Sequence, residues 1–233
     1  MLTATCLIAS RHLPFSSTLD TLVSNLFAES RRLLSLALLN VPRNVETLQA
    51  ILILSVWSPL AKRLSPRERP LSGGRTLDSW LVSGYGIMLG MTVIRFNDLT
   101  RPGGAEFKGP RTPVGGNVKE NAEGVSQRLR VWNHLCLIHL QYSLSCWNLM
   151  SYSVGTRRPC ILEPSLIERC RAILNVNGVE RSNHDQRMVA EILLYSKLYK
   201  LLNNINQNGT DEQGELQQWR DEWDYLFRNS LEF

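Results

Sequence analysis

Asp78-Ser79-Trp80-Leu81-Val82-Ser83-Gly84-Tyr85-Gly86-Ile87-Met88-Leu89-Gly90 lies on a long, strongly apolar helical pattern that reaches to about Arg95. Asp78 belongs at the head of that helix, as its cap or in its first turn, where a carboxylate meets free N–H groups and the positive end of the helix dipole. Leu77, Trp80, Leu81, Gly84, Met88 and Met91 recur as one stripe. Gly84 and Gly90 weaken a helix, so close approach of a neighbouring helix is expected to offset them. A second apolar pattern opens at Arg128-Leu129-Arg130-Val131-Trp132 and runs on toward Gly155-Thr156-Arg157-Arg158-Pro159. It predicts a helix from about Glu123 to Tyr152, a length of roughly 45 Å at 1.5 Å per residue, stopped by Gly155 and Pro159. Between the two lie Pro102-Gly103-Gly104, Gly109-Pro110 and Pro113-Val114-Gly115-Gly116, which mark a long loop over 97–124.

Outward from these segments the chain continues to read as helix. Residues 2–12 form a short apolar helix. Ser16 or Ser17 caps a second that runs to about Asn40, with Leu19, Leu22, Val23, Leu26, Leu33, Leu36 and Ala37 on one face and a gap at Ser30. Pro42 ends it. Asn44 caps a third, Val45 to about Ala61, apolar nearly all round and so suited to the centre of a domain. Glu163-Pro164 opens a sixth helix that ends near Asn175, with proline in its first turn. A seventh covers 184–204, with Met188, Ile192, Tyr195, Tyr199 and Leu202 on one face. After a polar loop, Leu216, Trp219, Trp223 and Leu226 form a short seam on the last helix.

Composition narrows the function classes. The 233 residues are 43% hydrophobic and 20% charged, ordinary for a globular protein long enough to bury a sizeable core. The net charge of +5 comes mostly from Lys62, Arg63, Arg67, Arg69 and Arg75, opposed by Glu68 and interrupted by Pro66 and Pro70. A cluster this sparse reads as a solvated loop, not a nucleic-acid footprint. Cys6, Cys136, Cys146, Cys160 and Cys170 are odd in number and lack C-x-x-C spacing, which argues against a disulfide framework or zinc site and for a reducing compartment. No window holds 18 apolar residues, so no membrane-spanning helix is expected. The N-terminus has neither the basic flank nor the small-residue cleavage site of a signal peptide.

No motif commits the chain to catalysis. Gly84-x-Gly86-x-x-x-Gly90 is one residue too long for a dinucleotide loop and no strand precedes it; no Walker A sequence is present. His134 and His139 are five apart, whereas a two-histidine metal site on a helix wants four. With Cys136 they read as packing residues. The tryptophans are not interleaved with basic residues and read as core, not as base-stacking platforms. Trp219 and Trp223 pack on the body or face a partner. Arg157-Arg158-Pro159 either caps the fifth helix or forms a fixed turn shaping a central cavity.

The helix carrying Trp80 and Gly84 through Gly90 resembles the tryptophan–glycine helix of the fungal-specific transcription factor regulatory domain, the middle homology region of zinc binuclear cluster (Zn2Cys6) transcription factors. Leu48-Gln49-Ala50 through Trp57 resembles its preceding helix, and Arg128-Leu129-Arg130-Val131-Trp132 its arginine–tryptophan signature. Tyr142-Ser143-Leu144 through Arg158-Pro159 resembles its Gly-Arg-Pro segment, with Arg157 where the family has glycine. The order and separations agree over residues 1–204. The resemblance makes Gly84, Gly90, Arg128, Arg130, Arg158 and Pro159 family-motif residues.

These readings imply an all-α fold, a single helical domain of about eight antiparallel-packed helices with helices three, four and five at its centre. Residues 1–204 are expected to form the regulatory domain, and 205–233 an acidic loop and C-terminal amphipathic helix. The resemblance implies a nuclear regulator of transcription, not an enzyme, controlled by a small-molecule effector or by transcription co-regulators. A stand-alone helical interaction scaffold, using the Trp219 and Trp223 face, is the alternative. An effector is expected in an apolar cleft near helices four and five, with Trp80, Tyr85, Trp132 and Tyr142 as lining candidates. No catalytic residue and no metal or cofactor is assigned to the chain. The resemblance implies that zinc and DNA contact belong to a six-cysteine cluster outside it, and no membrane partner is expected.

Overall fold

The computed structural model describes residues 1–14, 16–40, 44–57, 77–94, 122–145, 158–176, 182–204 and 212–228. Among them every regular element is helical: α1 Leu2–Ala9, α2 Ser17–Leu39, α3 Val45–Trp57, α4 Ser79–Val93, α5 Ala122–Ser145, α6 Pro164–Glu168, α7 Asn183–Asn204, α8 Glu212–Trp223 and α9 Tyr225–Arg228. Single 3-10 stretches, Ser10–His12 and Arg169–Asn175, follow α1 and α6. The basic cluster at 62–75, Cys146, Trp147 and the expected end of the fifth helix lie outside the described residues, as does the loop expected over 97–124 except for residues 122–124, which already belong to α5.

The helix starts follow from their caps. Ser16 Oγ accepts from the Leu19 N–H at 3.2 Å and Asn44 Oδ1 from the Thr47 N–H at 3.3 Å. Asp78 Oδ1 accepts from the N–H groups of Trp80 at 2.9 Å and Leu81 at 3.2 Å. Each satisfies donors that the first turn otherwise leaves unpaired. Pro164 stands in the first turn of α6, where its missing N–H costs nothing.

The chain packs as two compact units, Met1–Val93 with His134–Ile161 and Ile94–Asn133 with Leu162–Phe233. Helix α5 contributes its first half to the second and its second half to the first. In the first unit α3 and α4 pack side by side with α1 beside α3. Leu48, Ile51, Ile87, Leu135 and Leu140 are almost wholly buried there.

The face that α4 buries differs from the expected stripe. Val82, Ser83, Gly86, Ile87, Leu89, Gly90 and Val93 are buried, while Leu81 and Met88 are each 60% exposed. The helix is apolar on both sides, so periodicity could not choose between them. Small residues chose: Ser79, Ser83, Gly86 and Gly90 recur at four, three and four along the packed face. The tightest approach is at Gly86, not at Gly84. A Cβ at 86 would stand 2.8 Å from both Ile51 Cγ2 on α3 and Leu135 Cδ2 on α5; one at 84 would make ordinary contacts of 3.4–3.5 Å with His139 and Ile161.

Helix α2 also departs from its expected face. Leu19, Val23, Phe27 and Ser30 are buried, whereas Leu33 and Leu36 stay about 40% exposed. The last two border a cavity of about 330 Å³ between α1, α2 and α3, which leaves them short of packing partners.

In the second unit the first half of α5, α6 with its 3-10 continuation, α7 and α8–α9 pack around Trp132, Val189, Ala190 and Ile192, none of them measurably exposed. The sixth helix, expected to be continuous to Asn175, tightens to 3-10 geometry at Arg169. Asn133 Nδ2 donates to the Cys170 carbonyl at 3.1 Å, tying α5 to this stretch. The last helix breaks at Asp224 between α8 and α9.

Candidate functional site

The residues that converge in the first unit come from α4, from the second half of α5 and from the extended stretch after Arg158. Asp78, already the cap of α4, also accepts from Arg158 Nη1 at 2.6 Å. The Arg158 guanidinium lies 5.6 Å from the centre of the Trp80 ring, close enough for cation–π attraction. Trp80 Nε1 donates to the Pro159 carbonyl at 3.2 Å. Its ring stacks on His139, centroids 5.8 Å apart and planes 25° apart.

His139 is fully buried and its hydrogen bonds define its state. The Ile161 N–H donates to Nε2 at 3.3 Å, so Nε2 carries no proton. Ser83 Oγ donates to the Trp80 carbonyl at 3.0 Å and lies 3.1 Å from His139 Nδ1, so Nδ1–H donates to it. Burial pushes the imidazole pKa down to about 4, opposed by a smaller backbone hydrogen bond with Trp80. The ring is neutral near pH 7, with both nitrogens engaged.

This network closes one side of a cleft of about 660 Å³, lined by Trp80, Gly84, Tyr85, Thr92 and His139, with Leu38, Leu81 and Met88 at its exposed side. The Thr92 hydroxyl donates to the Leu89 carbonyl at 2.7 Å. Tyr85 Oη is buried and has no hydrogen-bond partner among the described residues; burial pushes its pKa up. Of the four lining candidates from sequence, Trp80 and Tyr85 border this cleft. Tyr142 is half-buried on α5 and does not border it, and Trp132 is fully buried in the second unit.

The second unit holds the other motif residues. Arg130 forms a two-pronged pair with Asp185, Nε–Oδ1 2.9 Å and Nη2–Oδ2 2.8 Å, which ties α5 to the first turn of α7. Arg128 is half-buried on the same helix. Trp219 Nε1 donates to the Ala190 carbonyl at 2.8 Å, and Trp223 is 3% exposed beneath Arg171, whose guanidinium is 5.7 Å from its ring. Both tryptophans therefore face α7 and the 3-10 turn. Arg171 also hydrogen-bonds Glu222 at 2.6 Å and holds that carboxyl below its usual range.

Sequence reading did not single out Ser83, Ile161 or Leu38, and it took His139 for a packing residue. Ser83 and His139 are 56 positions apart, Trp80 and Pro159 79. No spacing rule links residues at such separations.

The all-α fold is the one implied by the resemblance to the regulatory domain of fungal transcription factors, and the comparisons place the chain among fungal transcriptional regulators. A model of the middle domain of the transcriptional activator of proteases prtT matches residues 1–232, and the chain belongs to that PRTT-like family. It is 28% identical over 229 residues to the transcriptional activator of proteases prtT of Aspergillus fumigatus, covering 97% of this chain and 27% of that protein. The Aspergillus clavatus counterpart is 29% identical over 224 residues, 95% of this chain and 30% of that protein. An uncharacterized transcriptional regulatory protein of Schizosaccharomyces pombe is 27% identical over 231 residues, 97% of this chain and 36% of that one. The chain thus spans about a quarter to a third of the length of these relatives. No solved structure gives a significant match.

Proposed function

We propose that this chain is the regulatory domain of a fungal transcriptional regulator, acting in the nucleus by binding and packing and not by catalysis. The observation that carries the reading is the family match over residues 1–232. The site chemistry supports it. Asp78, Trp80, Arg158 and Pro159, which carry the resemblance, are engaged with one another in a packing lock. His139, the titratable base of the cleft, has neither a free lone pair nor an available proton. DNA contact and zinc are assigned to a separate module, and the relatives' name supports genes for proteases as targets of the whole regulator. Control by an effector or a co-regulator acts through the helix packing described above.

A reporter assay tests this: the chain is fused between a foreign DNA-binding module and an activation segment. Reporter output is expected to depend on the presence of the chain and to change when Asp78→Ala or Arg130→Ala loosens its packing. Output indifferent to both would sink the regulatory reading.

A further inference from the structure

We propose that α8–α9 is a detachable latch, a helical ligand seated on α7 of its own chain, whose release presents Trp219, Trp223 and Leu226 to a protein partner with an apolar groove and a basic rim. What the release regulates rests on the reading above; the latch itself does not. The three anchors follow one another at four and three, the spacing by which an amphipathic helix fills a groove. Within the second unit they are seated in that way. Trp219 Nε1 donates to the Ala190 carbonyl at 2.8 Å, and Trp223 and Leu226 are buried. Around them acidic groups of the segment meet basic groups of the body. Glu215 pairs with Lys197 at 3.2 Å and Glu222 with Arg171 at 2.6 Å. Arg187 Nη2 donates to the Leu226 carbonyl at 3.2 Å. A partner that takes the segment must offer the same two things.

The segment is held more lightly than the helix beneath it. From Gly214 to Leu226 only Trp223 and Leu226 are buried, whereas α7 buries Met188, Val189, Ala190, Ile192 and Leu193. Helix α8 has 12 residues and stops at a turn on Asp224. A helix so short is marginal in water without its packed face. The ion pairs around the anchors are open to solvent, with Glu215 56% and Glu222 43% exposed. Such pairs are weak and are screened by salt. A segment with few buried apolar contacts opens at a lower free energy than the body it lies on.

Hydrogen exchange on the full chain tests the latch, at low salt and at about 0.5 M sodium chloride. Amides of 212–228 should exchange at least about tenfold faster than those of 188–193, and the gap should widen with salt. A labelled synthetic peptide of residues 212–228 is then titrated into the wild type and into Trp223→Ala, which loosens the chain's own segment and leaves α7 intact. The peptide should bind the variant saturably and the wild type about tenfold more weakly, since the wild type's site is filled from within. A peptide carrying Trp223→Ala should bind neither chain, and one carrying Glu215→Gln and Glu222→Gln should bind the variant more weakly. Equal exchange in the two regions at both salts overturns the proposal. So does a folded variant that takes up no peptide, or that takes up the altered peptides as well as the native one. Loss of cooperative melting in Trp223→Ala also overturns it, by making the segment part of one core. Exchange and peptide binding need no transcription and the reporter fusion needs no peptide, so either reading can fail alone.

Discussion

Gly86 shows how one missing methyl group sets the distance between three helices. With Ile51 Cγ2 and Leu135 Cδ2 each 2.8 Å from where its Cβ would be, and both residues buried to within 1%, an added carbon has nowhere to go. We predict that Gly86→Ala destabilises the chain by about 1–3 kcal/mol, outweighing the gain of roughly 0.5–1 kcal/mol in helix propensity. Gly84→Ala meets only ordinary contacts and should be neutral or slightly stabilising. Urea unfolding midpoints separate the two, and equal midpoints would refute the packing argument. His139 makes a second prediction at this scale. Its folded pKa of about 4 lies below the unfolded value of 6.5, so between those values the unfolded chain binds more protons. The stability from keeping it neutral is complete above about pH 6.5 and is lost progressively as pH falls toward 4, up to about 3 kcal/mol for this group. Melting temperatures should fall across that window, and the His139 Cε1–H resonance should show no titration step near pH 6.5. A step there would contradict the buried, doubly bonded ring.

At the scale of the element, α4 depends on its first residue out. Asp78 Oδ1 serves two backbone N–H groups and Arg158 together. Loss of the cap costs about 0.5–2 kcal/mol. The ion pair, with both side chains about a third exposed, adds no more than about 1 kcal/mol. Asp78→Asn keeps a capping oxygen and discards the charge, so it should lose less than half of what Asp78→Ala loses. Denaturant unfolding of the two variants checks this, and equal losses would mean that the pair, not the cap, holds the helix. The starts of α2, α3 and α4 were legible in sequence because a cap acts on the next three residues, and that of α6 because proline suits a first turn. The shift of the sixth helix to 3-10 geometry at Arg169 was not, since no glycine and no proline after Pro164 marks it.

At the scale of the whole molecule, the second unit depends on Arg130. Its partner Asp185 is 5% exposed, so Arg130→Ala leaves a nearly buried carboxylate without its two-pronged donor. We predict a loss of about 1–3 kcal/mol and faster amide exchange in the first turns of α7. Unchanged exchange there would show that the pair is incidental. Arg130 and Trp132 stand two positions apart on α5: one ties the helix to α7 and the other is wholly buried.

Fold class could be read straight from the residues. Helix periodicity, capping side chains and proline positions act within four residues, so local chemistry was enough to establish an all-helical chain and most of its boundaries. Which face of α4 is packed, which tryptophans border the cleft and which polar groups meet at His139 depended on contacts between positions tens of residues apart. An apolar helix offers several faces of nearly equal hydrophobicity, and the close fit of Gly86 against α3 and α5, with Ser83 against His139, breaks that near-degeneracy.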